Sequence, residues 1–233
     1  MNAIGLSTAV LYPTHLTEDA LTTIARLGFQ VVEVFLQAGG EYTPAFGTEL
    51  DRRRRDLGLR VHSLHIYSPY FDLWAPYPRM IQETRDRFQR LLEIAAVLEA
   101  RAAGVMLCIE NVSWCYLRTC EQVTAMRQAN LPVGFTLDTF QAGESGTDPV
   151  ALIHAMDSRL TTAHLADYAP GGPRHLPPGE GTLDWPAMIR AFQTVGYDGP
   201  LILEPAHVTE TATLLRARDF LQQVWFNVAR TNP

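Results

Sequence analysis

The feature that most constrains the fold is a strict alternation of short apolar runs with longer amphipathic segments along the chain. The apolar runs are rich in β-branched residues, which is typical of strands buried on both faces of a parallel sheet. The predicted strands are 3–9, 30–36, 60–66, 105–110, 133–138, 160–165 and 200–204.

The segments between these runs have helical spacing and recognisable helix ends. Thr17 is the predicted N-cap of the first helix, and Gly28 follows its end. Asp184 is the predicted N-cap of a later helix, and Gly196 stops it. The predicted helices are 18–27, 45–57, 79–103, 119–129, 148–157, 185–195 and 209–228.

This order of elements predicts an α/β fold with right-handed crossovers and a parallel sheet. Seven βα units favour a TIM-barrel-like (β/α) barrel, with an open doubly wound sheet as the alternative. The first strand is not followed by G-x-G-x-x-G, which argues against a dinucleotide-binding form of that alternative. No linker or change of composition divides the chain, so we expect a single domain over residues 1–233.

Composition and charge limit the kinds of molecule that this protein is expected to bind. Apolar residues make up 47% of the 233 residues and charged residues 19%, as in an ordinary globular protein. A net charge of −6 predicts neither nucleic acid nor an anionic membrane as a partner. Arginines at 52–55 favour a solvated helix face over a nucleic-acid patch.

The cellular location is predicted from three further observations. The first residues lack the features of a signal peptide, and no apolar run is long enough to span a bilayer. Cys108, Cys115 and Cys120 are too few for a disulfide framework, which favours reduced thiols. We therefore expect a cytoplasmic protein.

Four ionisable residues stand at the ends of four consecutive predicted strands. Glu110, Asp138 and Glu204 close their apolar runs, and His164 lies near the end of another. Any one of them could be a cap or a salt-bridge partner. Because the carboxyl ends of barrel strands meet at one face, four in succession predict a shared site.

Three carboxylates and one imidazole form an oxygen-rich ligand set, which suits Mn²⁺ best, with Mg²⁺, Co²⁺ or Zn²⁺ as alternatives. Four protein ligands on a six-coordinate ion leave two positions for substrate oxygens. An ion so placed can polarise a carbonyl and stabilise an enediolate. Glu110 and Glu204 are the predicted pair of bases.

Other residues have two interpretations each. His65, Tyr67 and Glu33 could line the mouth of a pocket, but a core histidine and a capping carboxylate explain them equally well. Trp114 could wall the pocket or simply pack. The aromatic loop at 67–77 could form a lid or a contact in a homo-oligomer.

Several segments carry a resemblance to a known family. They are IEN at 109–111, GFTLDTFQAG at 134–143, HLAD at 164–167, RHLPPGEGTLDW at 174–185 and GYDGPLILE at 196–204, with a looser match in SLHIYSPYFDL at 63–73. The chain resembles the sugar phosphate isomerase/epimerase family of xylose isomerase-like TIM barrels. That family includes ketose 3-epimerases, hydroxypyruvate isomerase and metal-dependent apurinic endonucleases.

The resemblance implies that Glu110, Asp138, His164 and Glu204 are metal ligands, and that the two glutamates are the acid/base pair. Arg174 resembles the substrate-oriented arginine of the family. The full set of candidate substrate contacts is Arg174, His175, His65, Tyr67, Trp114, Gln141, Asp167 and Glu33.

The chain also departs from the family pattern. Gln141 stands where the family usually has a histidine, and Pro173 replaces the aspartate of the endonuclease Asp-Arg-His triplet, which disfavours phosphodiester cleavage. One βα unit near the fourth strand is missing, because the helix ending near 103 leads directly into VMLCIEN.

We therefore predict a metal-dependent sugar or sugar phosphate isomerase or epimerase. A metal-assisted hydrolase or dehydratase and a non-catalytic metal- or sugar-binding barrel are the alternatives.

Overall fold

The computed structural model describes residues 1–12, 14–67, 77–98, 105–206 and 208–231. The chain forms two compact units. One is Leu6–Val105, and the other combines Met1–Gly5 with Met106–Pro233. The single domain over 1–233 stays a prediction.

The unit Leu6–Val105 contains three parallel strands in the order β3-β2-β1. Its helix α1 buries Ala20, Leu21 and Ile24, the apolar stripe that the sequence spacing predicts. The elements are β1 (Ile4–Ser7, shared with the other unit), α1 (Thr17–Arg26), β2 (Val31–Leu36), α2 (Pro44–Asp56), β3 (Arg60–Ile66) and α3 (Pro78–Val97).

The start of α1 corrects one prediction. Leu16 holds the N-cap position and makes no side-chain cap hydrogen bond, so Thr17 is the first helical residue rather than the cap. The Thr17 hydroxyl instead donates to the Glu41 carboxylate over 2.9 Å. The predicted stop at Gly28 is confirmed, because its φ of 80° is the left-handed conformation that ends helices.

The arginines at 52–55 lie on α2 and form ion pairs with carboxylates of the same helix. Arg52 reaches Glu49 over 2.8 Å, and Arg54 reaches Asp51 over 2.7 Å. These carboxylates offset the positive charge, which fits an ordinary helix face.

The second unit contains the row β7-β6-β5-β4, with the first residues of β1 beside β7. All its strand pairs are parallel, and β5, β6 and β7 are buried almost throughout. Its elements are β4 (Cys108–Glu110), α4 (Cys120–Gln128), β5 (Gly134–Asp138), α5 (Thr139–Glu144), α6 (Pro149–Met156), β6 (Leu160–Leu165), α7 (Trp185–Thr194), β7 (Leu201–Leu203) and α8 (Thr211–Thr231).

The structure confirms the predicted parallel α/β architecture, with seven strands among the residues that it describes. Asp184 caps α7 as predicted, since its carboxylate accepts the Ala187 N–H over 2.9 Å. The short helix α5 was not predicted. Strand β4 is shorter than the predicted 105–110, because Val105, Met106 and Leu107 are all more than half exposed.

The described part between α3 and β4 contains no further strand, although residues 99–104 lie outside it. Among the described helices, none combines the length and hydrophobicity that crossing a bilayer requires.

Candidate metal centre

The structure brings the four predicted ligands together at the strand ends of the second unit. Glu110 and Asp138 are the last residues of β4 and β5, His164 is the penultimate residue of β6, and Glu204 directly follows β7. Asp138 and His164 are partners in the sheet register. One ligand atom from each of the four lies within 4.8 Å of the others.

The charge of this cluster suits a cation. His164 is buried, and its Nδ1 lies 3.1 Å from an oxygen of Glu110 and 3.1 Å from an oxygen of Glu204. A protonated imidazole carries one positive charge, whereas three ionised carboxylates carry three negative charges. Such an excess of buried negative charge is costly unless a cation balances it. A divalent ion therefore fits this donor set.

The spacing of the donor atoms also suits an ion. Opposite ligands on an ion with bonds of about 2.1 Å are separated by about 4 Å. The cluster spacing is close to that value, so small side-chain movements bring all four groups to coordination distance. Carboxylate oxygens and an imidazole nitrogen are typical ligands of Mn²⁺ and Mg²⁺, and also bind Zn²⁺.

Asn111 fixes the distance between the first two ligands. Its side-chain amide donates to the Asp138 carbonyl over 2.9 Å, and its side-chain carbonyl accepts the Asp138 N–H over 2.8 Å. Both residues are almost fully buried. This pair of hydrogen bonds joins the ends of β4 and β5 and so holds Glu110 beside Asp138.

Thr139 fixes the next pair of strands in the same way. Its hydroxyl donates to the Ala166 carbonyl over 2.6 Å and accepts the Ala166 N–H over 3.1 Å. A further contact of 3.3 Å reaches the His164 carbonyl. The residue after Asp138 therefore anchors the strand that carries His164.

Helix α5 begins at the site itself. The Asp138 carboxylate accepts the Gln141 N–H through Oδ1 over 2.9 Å and so caps the helix. Its other oxygen lies 3.6 Å from His175 Nε2. One carboxylate oxygen of Asp138 thus holds the helix, and the other faces the site.

Gln141 occupies a position that the resemblance associates with a histidine. Its side-chain carbonyl accepts the Ser113 N–H over 3.0 Å, and the residue is mostly buried. Gln141 therefore joins α5 to the segment that follows β4. Trp114, in that same segment, is 68% exposed.

The segment after β6 places Arg174 and His175 against Phe140 of α5. The His175 ring stacks on the Phe140 ring with centroids 4.0 Å apart, and the Arg174 guanidinium lies 5.0 Å from the same centroid. His175 adopts a φ of 50°, which is uncommon for a residue with a side chain and turns the backbone at this point.

Burial opposes the charged form of His175, but its close contact with the Asp138 carboxylate and the negative charges of Asp138 and Glu204 outweigh that effect and raise its pKa. Its backbone carbonyl accepts the Ala206 N–H over 2.8 Å. His175 is therefore held to the segments after β5 and β7.

Asp167 is a predicted substrate contact, and that role stays a prediction. It has no exposed surface, and its carboxylate accepts hydrogen bonds from four N–H groups. The shortest comes from the Trp185 indole over 2.7 Å. Asp167 thus holds together the segment between β6 and α7 and has no oxygen turned toward solvent.

Three predicted contacts lie in the unit Leu6–Val105. Glu33 is buried, accepts the Ser63 hydroxyl over 2.7 Å, and lies 3.3 Å from His65 Nδ1. Tyr67 is 41% exposed, and its backbone N–H donates to the Tyr42 hydroxyl over 3.0 Å. Their contact with a substrate stays a prediction. Of the aromatic loop at 67–77, residues 68–76 lie outside the described part.

The sequence did not predict the supporting roles of Asn111, Thr139 and Ser113, nor that of Glu144, whose carboxylate accepts the Ser113 hydroxyl. Asn111 and Thr139 each directly follow a predicted ligand. A polar residue in that position is a sequence signal for a supporting role. Glu144 and Ser113 had no such signal, because their roles depend on contacts between loops.

Parallel strands that alternate with helices, and an acidic cluster at the carboxyl ends of β4, β5, β6 and β7, define the class of this protein as an α/β protein with a candidate metal centre. A model of the xylose isomerase-like TIM barrel family matches residues 97–224. The chain belongs to this family, which confirms the predicted fold class.

Two curated relatives are similar in sequence. A putative L-ribulose-5-phosphate 3-epimerase, SgbU, of Escherichia coli strain K12 is 27% identical over 66% of this chain and 54% of its own length. The L-ribulose-5-phosphate 3-epimerase UlaE of Salmonella paratyphi A is 24% identical over 87% of this chain and 75% of its own length. The chain thus spans about half of the first relative.

Two solved structures share the fold. The crystal structure of D-psicose 3-epimerase in the presence of D-fructose has a TM-score of 0.77 at 18% identity, covering 96% of this chain and 99% of that one. A structure of L-ribulose 3-epimerase has a TM-score of 0.73 at 19% identity, covering 99% of this chain and 97% of that one.

Proposed function

We propose that this protein is a divalent-metal-dependent ketose epimerase or isomerase. The observation that carries the proposal is the cluster of Glu110, Asp138, His164 and Glu204, whose donor atoms lie within 4.8 Å of one another. The names of the similar proteins, which are epimerases of ketoses and of a ketose phosphate, support the same reaction class.

The four residues would hold one divalent ion, with Mn²⁺ as our first candidate. When bound, such an ion makes the proton beside a substrate carbonyl more acidic by drawing charge from the carbonyl and neighbouring hydroxyl oxygens.

We assign the transfer of that proton to Glu110 and Glu204. They belong to the two outer strands of the row β7-β6-β5-β4, so their carboxylates approach His164 from different strands. One carboxylate takes the proton from the carbon, and the electron pair of the broken C–H bond moves toward the carbonyl oxygen. The other glutamate, in its protonated carboxylic acid form, delivers its proton to the opposite face of the same carbon as the electron pair returns, and so inverts that carbon.

Arg174 and His175 are the proposed contacts for substrate hydroxyls in this unit. The Arg174 side chain is 55% exposed, and His175 lies beside Asp138. Trp114 and Gln141 in this unit, and Glu33, His65 and Tyr67 in the other, stay predicted contacts. Cytoplasmic location and a homo-oligomeric state also stay predictions.

The test is solvent deuterium incorporation into a panel of ketoses and ketose phosphates. Protein loaded with Mn²⁺ is incubated with each sugar in D₂O, the metal is removed by a chelator, and the sugars are examined by proton NMR. We expect loss of the proton signal beside the carbonyl for at least one sugar, and no loss from protein that was chelated beforehand.

Glu204→Gln should abolish this exchange, because an amide cannot accept the proton, whereas the exposed Glu210→Gln should retain it. Metal content and thermal unfolding are measured for both variants. Bound metal without exchange across the panel would contradict the proposal and favour hydrolysis, dehydration or a non-catalytic barrel.

A further inference from the structure

The Glu144 carboxylate, at the last residue of α5, joins three segments around the candidate metal centre. One oxygen accepts the Ser113 hydroxyl over 2.5 Å, which reaches the segment after β4. The other oxygen forms an ion pair with Arg174, in the segment after β6. Residues from the loops of three successive strands therefore meet at one carboxylate.

The position of Glu144 on its helix explains this arrangement. Glu144 follows Gln141 by three residues, so both lie on the same face of α5. Gln141 holds the Ser113 backbone and Glu144 holds the Ser113 side chain, so two adjacent contacts fix this residue. Because the Asp138 carboxylate caps the same helix, α5 connects these two contacts with Ser113 to a predicted metal ligand.

The ion pair also determines where Arg174 lies. The Arg174 guanidinium sits over Phe140, one turn before Glu144, and His175 stacks on the same ring. A guanidinium that bonds a carboxylate and lies over an aromatic ring keeps fewer rotamers than a free one. Its remaining exposed N–H groups are then presented in a fixed direction.

We infer that Glu144 is a positioning residue, which orients Arg174 and the turn at His175 for substrate binding at the metal centre. This inference rests on the proposed function, since it assigns Arg174 to the substrate of that reaction. Glu144 acts through Arg174 and touches no reacting atom. Its loss therefore weakens substrate binding while the metal and the two proton-transferring glutamates remain in place.

The experiment compares Glu144→Ala, Glu144→Gln, Arg174→Ala and the double variant Glu144→Ala/Arg174→Ala, each loaded with Mn²⁺. The matched control is Asp157→Asn, which weakens the Arg127–Asp157 ion pair of 2.9 Å. Asn has nearly the same size and shape as Asp, so it should fit the backbone at that position, where φ is 49°.

We expect Glu144→Ala to raise KM about tenfold and to change kcat less than threefold, within the range of coupling between contacting residues. Glu144→Gln should restore part of the loss, because its amide oxygen still accepts one hydrogen bond. The double variant should be no worse than Arg174→Ala, and Mn²⁺ affinity should stay within about twofold in all variants. Additive effects, or a loss of Mn²⁺ affinity, would overturn the inference.

Hydrogen exchange provides a readout that needs no turnover. The Leu176 N–H, next to His175, donates to the Asp167 carbonyl over 3.1 Å and reports on this turn. Glu144→Ala should speed exchange at residues 174–176 about tenfold, and Asp157→Asn should leave it unchanged. Unchanged exchange would overturn the inference, whereas faster local exchange in a protein without sugar turnover would refute only the proposed function.

Discussion

Replacing Asn111 with alanine removes both hydrogen bonds between its side chain and the Asp138 backbone. The structure gives the magnitude, because the two bonds measure 2.8 and 2.9 Å and both residues are almost fully buried. The substitution leaves one N–H and one carbonyl of Asp138 without these partners. Each buried unpaired group costs about 1–3 kcal/mol, so the free energy of unfolding should fall by about 2–6 kcal/mol.

The assay is chemical denaturation followed by circular dichroism, with a Mn²⁺ titration on the same samples. For a protein of this size, the loss corresponds to a decrease in Tm of roughly 4–24 °C. Mn²⁺ affinity should also fall about tenfold or more, because a residue that orients a metal ligand typically contributes that much.

The exposed Gln223→Ala on α8 is the matched control and should change neither quantity. If Asn111→Ala lost less than about 0.5 kcal/mol, a value typical of surface substitutions, the reasoning would be refuted. A loss of stability with unchanged Mn²⁺ affinity would instead show that Asn111 supports the strands but not the metal centre.

Two further predictions concern the other buried supports. Thr139→Val keeps the shape but loses the hydroxyl bonds to Ala166, and denaturation should show a loss of about 1–3 kcal/mol, whereas Thr139→Ser should retain most of the stability. Asp167→Asn places an NH₂ group among four N–H donors, so it should cost about 3 kcal/mol and expose the segment between β6 and α7 to limited proteolysis. Proteolysis at the wild-type rate would contradict that role of Asp167, and full stability of Thr139→Val would contradict the contribution of its hydroxyl.

The strands and the grouping of the four candidate ligands could be predicted from the sequence because both leave local signals. A continuous apolar run predicts a buried strand, and a carboxylate at the end of such a run lies where parallel strands meet. Glu110, Asp138 and Glu204 each end or follow a run of this kind, so reading the strand ends was sufficient to group them with His164.

Helix α5 could not be predicted in the same way. It has only six residues, TFQAGE, which are too few to show helical periodicity, and its β-branched and aromatic residues favour strands. Its N-cap is Asp138, which the sequence predicts to be a metal ligand. The Thr17 prediction failed for a related reason, since a threonine at a helix start resembles a cap whether or not its hydroxyl faces the helix.

The contacts between loops leave no local signal. Glu144 lies 31 positions from Ser113 and 30 from Arg174, so nothing in the nearby sequence indicates that one carboxylate joins them. Such contacts depend on the relative positions of neighbouring strands. The four candidate ligands could therefore be grouped from the sequence. The residues that hold the loops around them could be identified only from the structure.

The supports at Asn111 and Thr139 bind backbone atoms rather than the side chains of the ligands. The contacts that join these strands are thus independent of which side chain stands at 110 or 164, provided that it fits, whereas Asp138 also caps α5. The residues that join the strands are thus different from those that supply the donor atoms. This separation makes evolutionary change easier, because a mutation can alter the donor atoms without loosening the strands around them. The same property recommends this row of strands as a scaffold for redesigned metal sites.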